Sequence, residues 1–266
     1  MTATTLDLRT QYAADGFYVH RTPLFTPNEV ACGAAGMDAI RRGDYDTGTP
    51  PEPSPWKPGD DVTKLCKIEM PQIADSAIRA LVSSPALGEL TARVTGASMV
   101  QVWWVQLLFK PSNPANVNAG TSVGWHRDRT YWGNWEPESD LFTAWLALSD
   151  VDETCGPMRF VTGSHEWGNI GGGDFYAQDL ASQRDGFNAP VGKEWIEASG
   201  TLPPGGVSFH DDLTLHGSGP NHSGRPRRSL AIHMRGERSR PVDGKRAGLT
   251  KYIDDLTICP VIHGVL

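Results

Sequence analysis

Three residues of this chain could share one metal ion. His126 and Asp128 stand two apart in Gly124-Trp125-His126-Arg127-Asp128, and His216 opens His216-Gly217-Ser218-Gly219 far downstream. On an extended strand, residues two apart point to one face. Two neutral imidazoles and a carboxylate on one side of a metal leave the opposite positions open. That is the facial triad suited to non-haem Fe(II) and O2 chemistry. His210, in Phe209-His210-Asp211-Asp212, competes with His216 for the third place. Arg227 lies 11 residues beyond His216, across a turn containing Gly217, Gly219, Pro220 and Asn221. A guanidinium there can hold a carboxylate through paired hydrogen bonds. A dicarboxylate cosubstrate would then chelate the metal with one end and meet Arg227 with the other.

These residues need strands to hold them. His216 is expected to end one strand and Arg227 to start the next. Arg227 shares parity with Ser229, Ala231 and His233, the more polar side of a segment whose other side is Leu230, Ile232 and Met234. Val100–Lys110 is a strand by its β-branched and aromatic content. Its faces are Trp103/Val105/Leu107/Phe109 and Trp104/Gln106/Leu108/Lys110. Gln106 is an amide in an apolar strand, and burying it unpaired would cost a few kcal/mol, which favours a pocket role. Further short strands are predicted over residues 142–148, 158–161, 206–209 and 229–234. The first hundred residues read differently. A helix over 6–15 stops at Gly16, and Thr26-Pro27-Asn28-Glu29 caps another that runs to about Arg42. Residues 43–61 hold five prolines and no hydrophobic period, the composition of a lid, a binding loop or disorder. Ser84-Pro85 opens a helix that stops before Gly96. Helices first and short strands later imply a β-sandwich or barrel packed on N-terminal helices.

Composition narrows the function. The 266 residues are 39% hydrophobic, enough for a sizeable core. The 24 basic and 31 acidic side chains give a net charge of −7, which argues against a sequence-independent nucleic-acid binder. No apolar run approaches the ~20 residues of a membrane span. The N-terminus lacks a basic-then-apolar signal layout, so no membrane association and a cytoplasmic location are expected. Cysteines 32, 66, 155 and 259 form no CxxC pair and are expected reduced and mostly interior.

From about Tyr12 to Met234 the sequence resembles the phytanoyl-CoA dioxygenase family of Fe(II)- and 2-oxoglutarate-dependent oxygenases. The resemblance is carried by Lys110-Pro111, His126-Arg127-Asp128, Ala144-Trp145-Leu146-Ala147-Leu148 and the run from Cys155 to Val161. Gly163-Ser164-His165 and His216-Gly217-Ser218-Gly219 with Arg227 complete it. Cys155 departs from the pattern, standing where many relatives carry Asn. The resemblance implies a mainly β fold with N-terminal helices and a double-stranded β-helix (jelly-roll, cupin-like) core. It implies one oxygenase domain over 1–266, helical to about 97, jelly-roll over about 98–235, with a C-terminal extension over 236–266. It implies Fe(II) on His126, Asp128 and His216, with 2-oxoglutarate and O2 as cosubstrates. Arg227 and Ser218 would meet the distal carboxylate, and Gln106, Trp145 and Lys67 match further cosubstrate-lining positions. The implied reaction hydroxylates or desaturates an unactivated C–H, with succinate and CO2 as coproducts. Related halogenases carry a small residue where this chain has Asp128.

For the substrate, Arg127, Arg129, Tyr131 and Trp132 follow the metal motif, Trp104 lies on the long strand, and Trp56 sits in the Pro-rich loop. Residues 169–190 form an insertion where the family places substrate-facing loops. Aromatic faces suit a quaternary ammonium or a flat ring, and arginines suit a carboxylate or phosphonate. A small polar metabolite fits better than an acyl-CoA, because basic residues concentrate only over 225–228 and 235–245. Two rivals share the ligand set. One is a Zn(II) hydrolase or isomerase, which would need no dicarboxylate clamp at Arg227. The other is a non-catalytic metal- or ligand-binding barrel. Oligomeric state leaves no mark on the sequence.

Overall fold

The N-terminal helices form where the capping signals stand. Helix α1 (Leu8–Asp15) starts on Asp7, whose carboxylate accepts from the backbone N–H of Arg9 and Thr10, and stops at Gly16 with φ 81°. Strand β1 (Phe17–His20) follows. Helix α2 (Pro27–Arg42) carries the full Thr26/Glu29 capping box and ends at Gly43 in a left-handed conformation. Strand β2 (Cys66–Glu69), α3 (Ser76–Val82) and α4 (Pro85–Thr95) complete the first part. The computed structural model describes residues 7–112, 120–171 and 173–266. Residue 6, the expected first residue of the first helix, lies outside them.

The remaining strands are β3 (Val100–Lys110), β4 (Val123–His126), β5 (Leu141–Ala147), β6 (Met158–Val161), β7 (Glu197–Gly200), β8 (Val207–Asp211), β9 (His216–Ser218), β10 (Arg227–Arg235) and β11 (Val261–His263). Helix α5 (Leu180–Asp185) lies between β6 and β7. They build two antiparallel sheets. The larger runs β1-β8-β5-β10-β3-β11, with β2 also pairing with β3; the smaller runs β4-β9-β6-β7. This is the jelly-roll expected.

Two expectations need correction. The N-terminal part is not purely helical, since β1 pairs with β8 and β2 with β3. Likewise the C-terminal extension returns to the sheet, where β11 pairs with β3. Strands of three or four residues carry too little pattern to be seen without their partners.

The large sheet separates two environments. Its outer face, including Val105, Leu107, Phe109, Leu230 and Ile232, packs on α2, α3 and α4 through Met37, Ile40, Ile78, Leu81, Leu87 and Val94. Its inner face, including Leu108, Trp145 and Ala231, meets Val123, Met158 and Phe160 of the smaller sheet. Trp103 departs from its expected face. The β3–β10 register slips between His233 and Met234, so Trp104 opposes His233 while Val102 opposes Met234. The extra residue reverses the alternation, and Trp103 packs edge-on against Trp132 and Trp135.

Candidate metal and cosubstrate site

A cavity of about 240 Å3 opens between the sheets, and His126, Asp128 and His216 lie on its wall. All three are buried, and one ligand atom from each lies within 4.8 Å of the others. His126 and Asp128 do not share one strand face. His126 is the last residue of β4, whereas Asp128 opens a 3-10 turn over Asp128–Tyr131. His216 starts β9 rather than ending a strand, and opposes His126 directly in the β4–β9 register. That pairing, absent from any local sequence pattern, closes the triad.

Backbone carbonyls fix the ring tautomers. His126 Nδ1 donates to Gly124 O at 2.8 Å, and His216 Nδ1 donates to Thr214 O at 2.9 Å. Each Nε2 is left as a lone pair, and both lie 3.7 Å from Asp128 Oδ1. Burial lowers both histidines below the ordinary imidazole value, so they are neutral at pH 7. Burial alone would raise Asp128. The surrounding His216, His210 and His233 outweigh it and hold the carboxyl well below its usual range. Neutral imidazoles beside a carboxylate are the donor set a divalent ion needs.

His210 is not a third ligand in this arrangement. Its Nε2 donates to Asp128 Oδ2 at 3.2 Å, and Thr143 Oγ1 donates to the same oxygen at 2.8 Å. With Thr143's single proton so used, its oxygen accepts from His233 Nδ1 at 2.8 Å. One carboxylate oxygen therefore faces the imidazoles, and the other is held by two donors.

Arg227, the first residue of β10, is 1% exposed yet lines the cavity. Its Nη1 donates to Gly156 O and, at 3.1 Å, to Ser218 Oγ, and its guanidinium lies 5.1 Å from the Trp145 ring centre. Gly156 has φ 68°, and a Cβ there would collide with Gly219 O, so glycine is required for that carbonyl to reach the arginine. Burial lowers Arg227 to about 10, which leaves it charged at pH 7. Among the described residues, Nε and Nη2 have no partner. Buried donors without acceptors are costly, and at the cavity wall a bound carboxylate would satisfy them. Together with the triad, they fit Fe(II) at one end of the cavity and a carboxylate of 2-oxoglutarate at the other.

The remaining candidates divide. Trp145, Gln106, Lys67, Trp104, Tyr131 and Trp132 line the cavity. Gln106 Nε2 donates to Glu69 at 3.4 Å, Trp104 Nε1 donates to it at 2.6 Å, and Lys67 Nζ lies 3.3 Å from it. Ser218 touches Arg227 but is fully buried behind it. Three substrate candidates do not reach the cavity. Arg127 donates to the carbonyls of Gly168 and Ser164, and Arg129 pairs with Asp212 and donates to the carbonyls of Glu136 and Ser139. Both guanidinia fasten loops. Trp56 packs into the apolar layer outside the large sheet, with Arg41 over its ring.

Glu69, Thr143 and Phe175 also line the cavity, although they are not among the residues that the sequence singles out. Glu69 was hidden because its four-residue strand was not recognised. Phe175 lies in the anticipated insertion and stacks edge-on to His126 at 5.2 Å. No local pattern marks it.

The family model for phytanoyl-CoA dioxygenase (PhyH) matches residues 12–229. The chain belongs to the PhyH family. The PhyH chain is 30% identical over 181 residues to the "Probable alpha-ketoglutarate-dependent hypophosphite dioxygenase" of Stutzerimonas stutzeri, covering 66% of this chain and 59% of that protein. It therefore spans less than two thirds of that relative's length. It is 28% identical over 239 residues to the ectoine dioxygenase of Bordetella bronchiseptica, covering 86% of this chain and 74% of that one. Among solved structures, SnoN, an epimerase in complex with Fe3+, alpha ketoglutarate and nogalamycin RO, superposes on this PhyH protein with a TM-score of 0.67. The two share 21% identity, over 88% of this chain and 84% of that chain. At that identity the likeness is one of fold. Among the described residues, no helix of the PhyH chain is long and apolar enough to cross a membrane.

Proposed function

We propose that this PhyH-family chain is an Fe(II)- and 2-oxoglutarate-dependent dioxygenase that hydroxylates or desaturates an unactivated C–H of a small polar metabolite. The observation that carries this is a single cavity holding both a buried His126–Asp128–His216 set and a buried, charged, half-unpartnered Arg227. A hydrolase or a passive metal site would have no use for the second feature. Fe(II) with 2-oxoglutarate and O2 supplies the oxidising power, with succinate and CO2 as coproducts.

The chain's own residues supply placement. His126, Asp128 and His216 would hold the metal from one side. Arg227, with Ser218 behind it and Trp145 beneath it, would orient the distal carboxylate, while Gln106 and Lys67 line the space between. Trp104, Trp132, Phe175 and Tyr131 exclude water from that space. Asp128 would fill a coordination position with its own oxygen, so hydroxylation or desaturation is favoured over halide transfer. A cavity of about 240 Å3 shared with a cosubstrate favours a small substrate over a CoA thioester. The small-molecule substrates named for the hypophosphite and ectoine relatives point the same way. Because β1, β2 and β11 complete the large sheet, we treat residues 1–266 as one oxygenase domain. The described free cysteines fit a reducing compartment, and we assign the chain to the cytoplasm.

The test is an anaerobic titration of Fe(II)-loaded protein with 2-oxoglutarate, read by the visible metal-to-ligand charge-transfer band. A saturable band is expected for the wild type. His216→Ala should abolish it by losing Fe(II), and Arg227→Ala should weaken 2-oxoglutarate while sparing the metal. Full 2-oxoglutarate turnover in both variants would show that the site is elsewhere.

A further inference from the structure

We infer that Lys110 is the second cation of the cosubstrate site, a positioning residue that holds Ser218 and Arg227 ready for a carboxylate and adds to the positive potential they present. This role rests on Arg227 binding the distal carboxylate of 2-oxoglutarate.

Lys110 is the last residue of β3 and is wholly buried. It lies directly opposite Arg227 in the β3–β10 register. Like charges directly opposite on a sheet destabilise it. Among the described residues, neither cation makes a salt bridge with a carboxylate. Lys110 Nζ donates to Ser218 Oγ, to Gly219 O and, at 3.4 Å, to Ser218 O. Three acceptors around one nitrogen match the three protons of an ammonium. Burial, and after it the neighbouring Arg227 guanidinium, press Lys110 well below the ordinary lysine value, whereas three acceptors around the nitrogen favour its charged form.

The same Ser218 Oγ accepts from Arg227 Nη1 at 3.1 Å. Both lone pairs of the hydroxyl are thus spent on cations, and its own proton is what remains to donate. The outcome is an Arg227 that faces the cavity with Nε and Nη2 unpartnered among the described residues, backed from behind by a buried ammonium and by a hydroxyl whose own proton is free. Two uncompensated cations cost stability in the empty protein, and a bound carboxylate would recover it. A lysine kept only for packing would do the reverse and stabilise the empty protein.

The experiment compares wild type, Lys110→Met, Lys110→Gln and Lys110→Arg. Thermal melts are taken without 2-oxoglutarate, and Fe(II) and 2-oxoglutarate affinities come from anaerobic titration. Lys110→Met should melt a few degrees higher than wild type. It should bind Fe(II) unchanged and bind 2-oxoglutarate about tenfold more weakly or worse, because Ser218 and Arg227 lose the group that holds them and its charge. Lys110→Arg should restore much of the affinity. A lower melting temperature for Lys110→Met, or an unchanged 2-oxoglutarate affinity, overturns the assignment. So does failure of both Lys110→Met and Lys110→Gln to fold, since the lysine would then be a structural requirement. If the wild type itself binds no 2-oxoglutarate, the cosubstrate site fails and not merely the lysine.

Discussion

At the scale of single residues, the carboxylate of Asp128 is the most constrained group in the cavity. Its Oδ1 faces both imidazoles, while Thr143 and His210 hold Oδ2. Such partners orient a ligand and prevent it from turning both oxygens to the metal. Thr143→Val keeps the shape of the side chain and removes the donor. Loss of an outer partner of this kind costs about 10-fold to 100-fold in metal affinity. Fe(II) affinity of Thr143→Val, measured by quenching of tryptophan fluorescence, should fall in that range while 2-oxoglutarate affinity at saturating metal changes little. Unaltered Fe(II) affinity would mean that Asp128 is fixed by its own 3-10 turn. His233 completes the chain by donating to Thr143, which ties a strand of the large sheet to a ligand beside the small one.

At the scale of elements, α2 is the clearest case of a local rule deciding structure. Thr26 accepts from the Glu29 N–H at 3.3 Å, and Glu29 accepts from the Thr26 N–H at 2.8 Å, so two N–H groups of the first turn are satisfied reciprocally. Helix α2 packs its buried face, Val30, Met37 and Ile40, on the outside of the large sheet, away from the cavity. Thr26→Ala should therefore destabilise the protein by about 1 kcal/mol and leave cosubstrate affinity untouched. Urea unfolding followed by circular dichroism measures the first, and the charge-transfer titration the second. A change in 2-oxoglutarate affinity would show that the helical layer is coupled to the site. The strands behave differently, since β4 and β9 have four and three residues and exist through their pairing.

At the scale of the whole molecule, burying imidazoles between two sheets ties stability to pH. His233 is wholly enclosed, and burial lowers it to about 4 from an ordinary 6.5. The unfolded chain therefore binds a proton at this position between those values, and the folded chain does not. A depressed histidine contributes stability above pH 6.5 and loses it as pH falls toward 4. The size is about 2 kcal/mol between pH 7.5 and 5. Denaturant unfolding of metal-free wild type and His233→Asn at both pH values should show the variant losing less stability across the interval. Equal losses would place the proton elsewhere.

The sequence by itself determined whatever depends on neighbours along the chain. Asp7, Thr26 and Gly16 set helix ends through contacts within a few residues, and the composition of Val100–Lys110 set the longest strand with its inner residues Trp104, Gln106 and Leu108. Spacing also singled out His126, Asp128, His216 and Arg227, because few chemistries call for those types at those intervals. Parity placed Ala231 and His233 on Arg227's side of β10, and both line the cavity. Only the tertiary structure decided what depends on partners distant in sequence. It made His216 the cross-strand neighbour of His126, gave the His210 proton to Asp128 and turned Arg127 and Arg129 to loop carbonyls. It set Lys110 opposite Arg227 and slipped β3 by one residue at Trp103. A hydrogen-bond donor will take any acceptor that the fold brings within reach, and that choice is made by the packing of sheets.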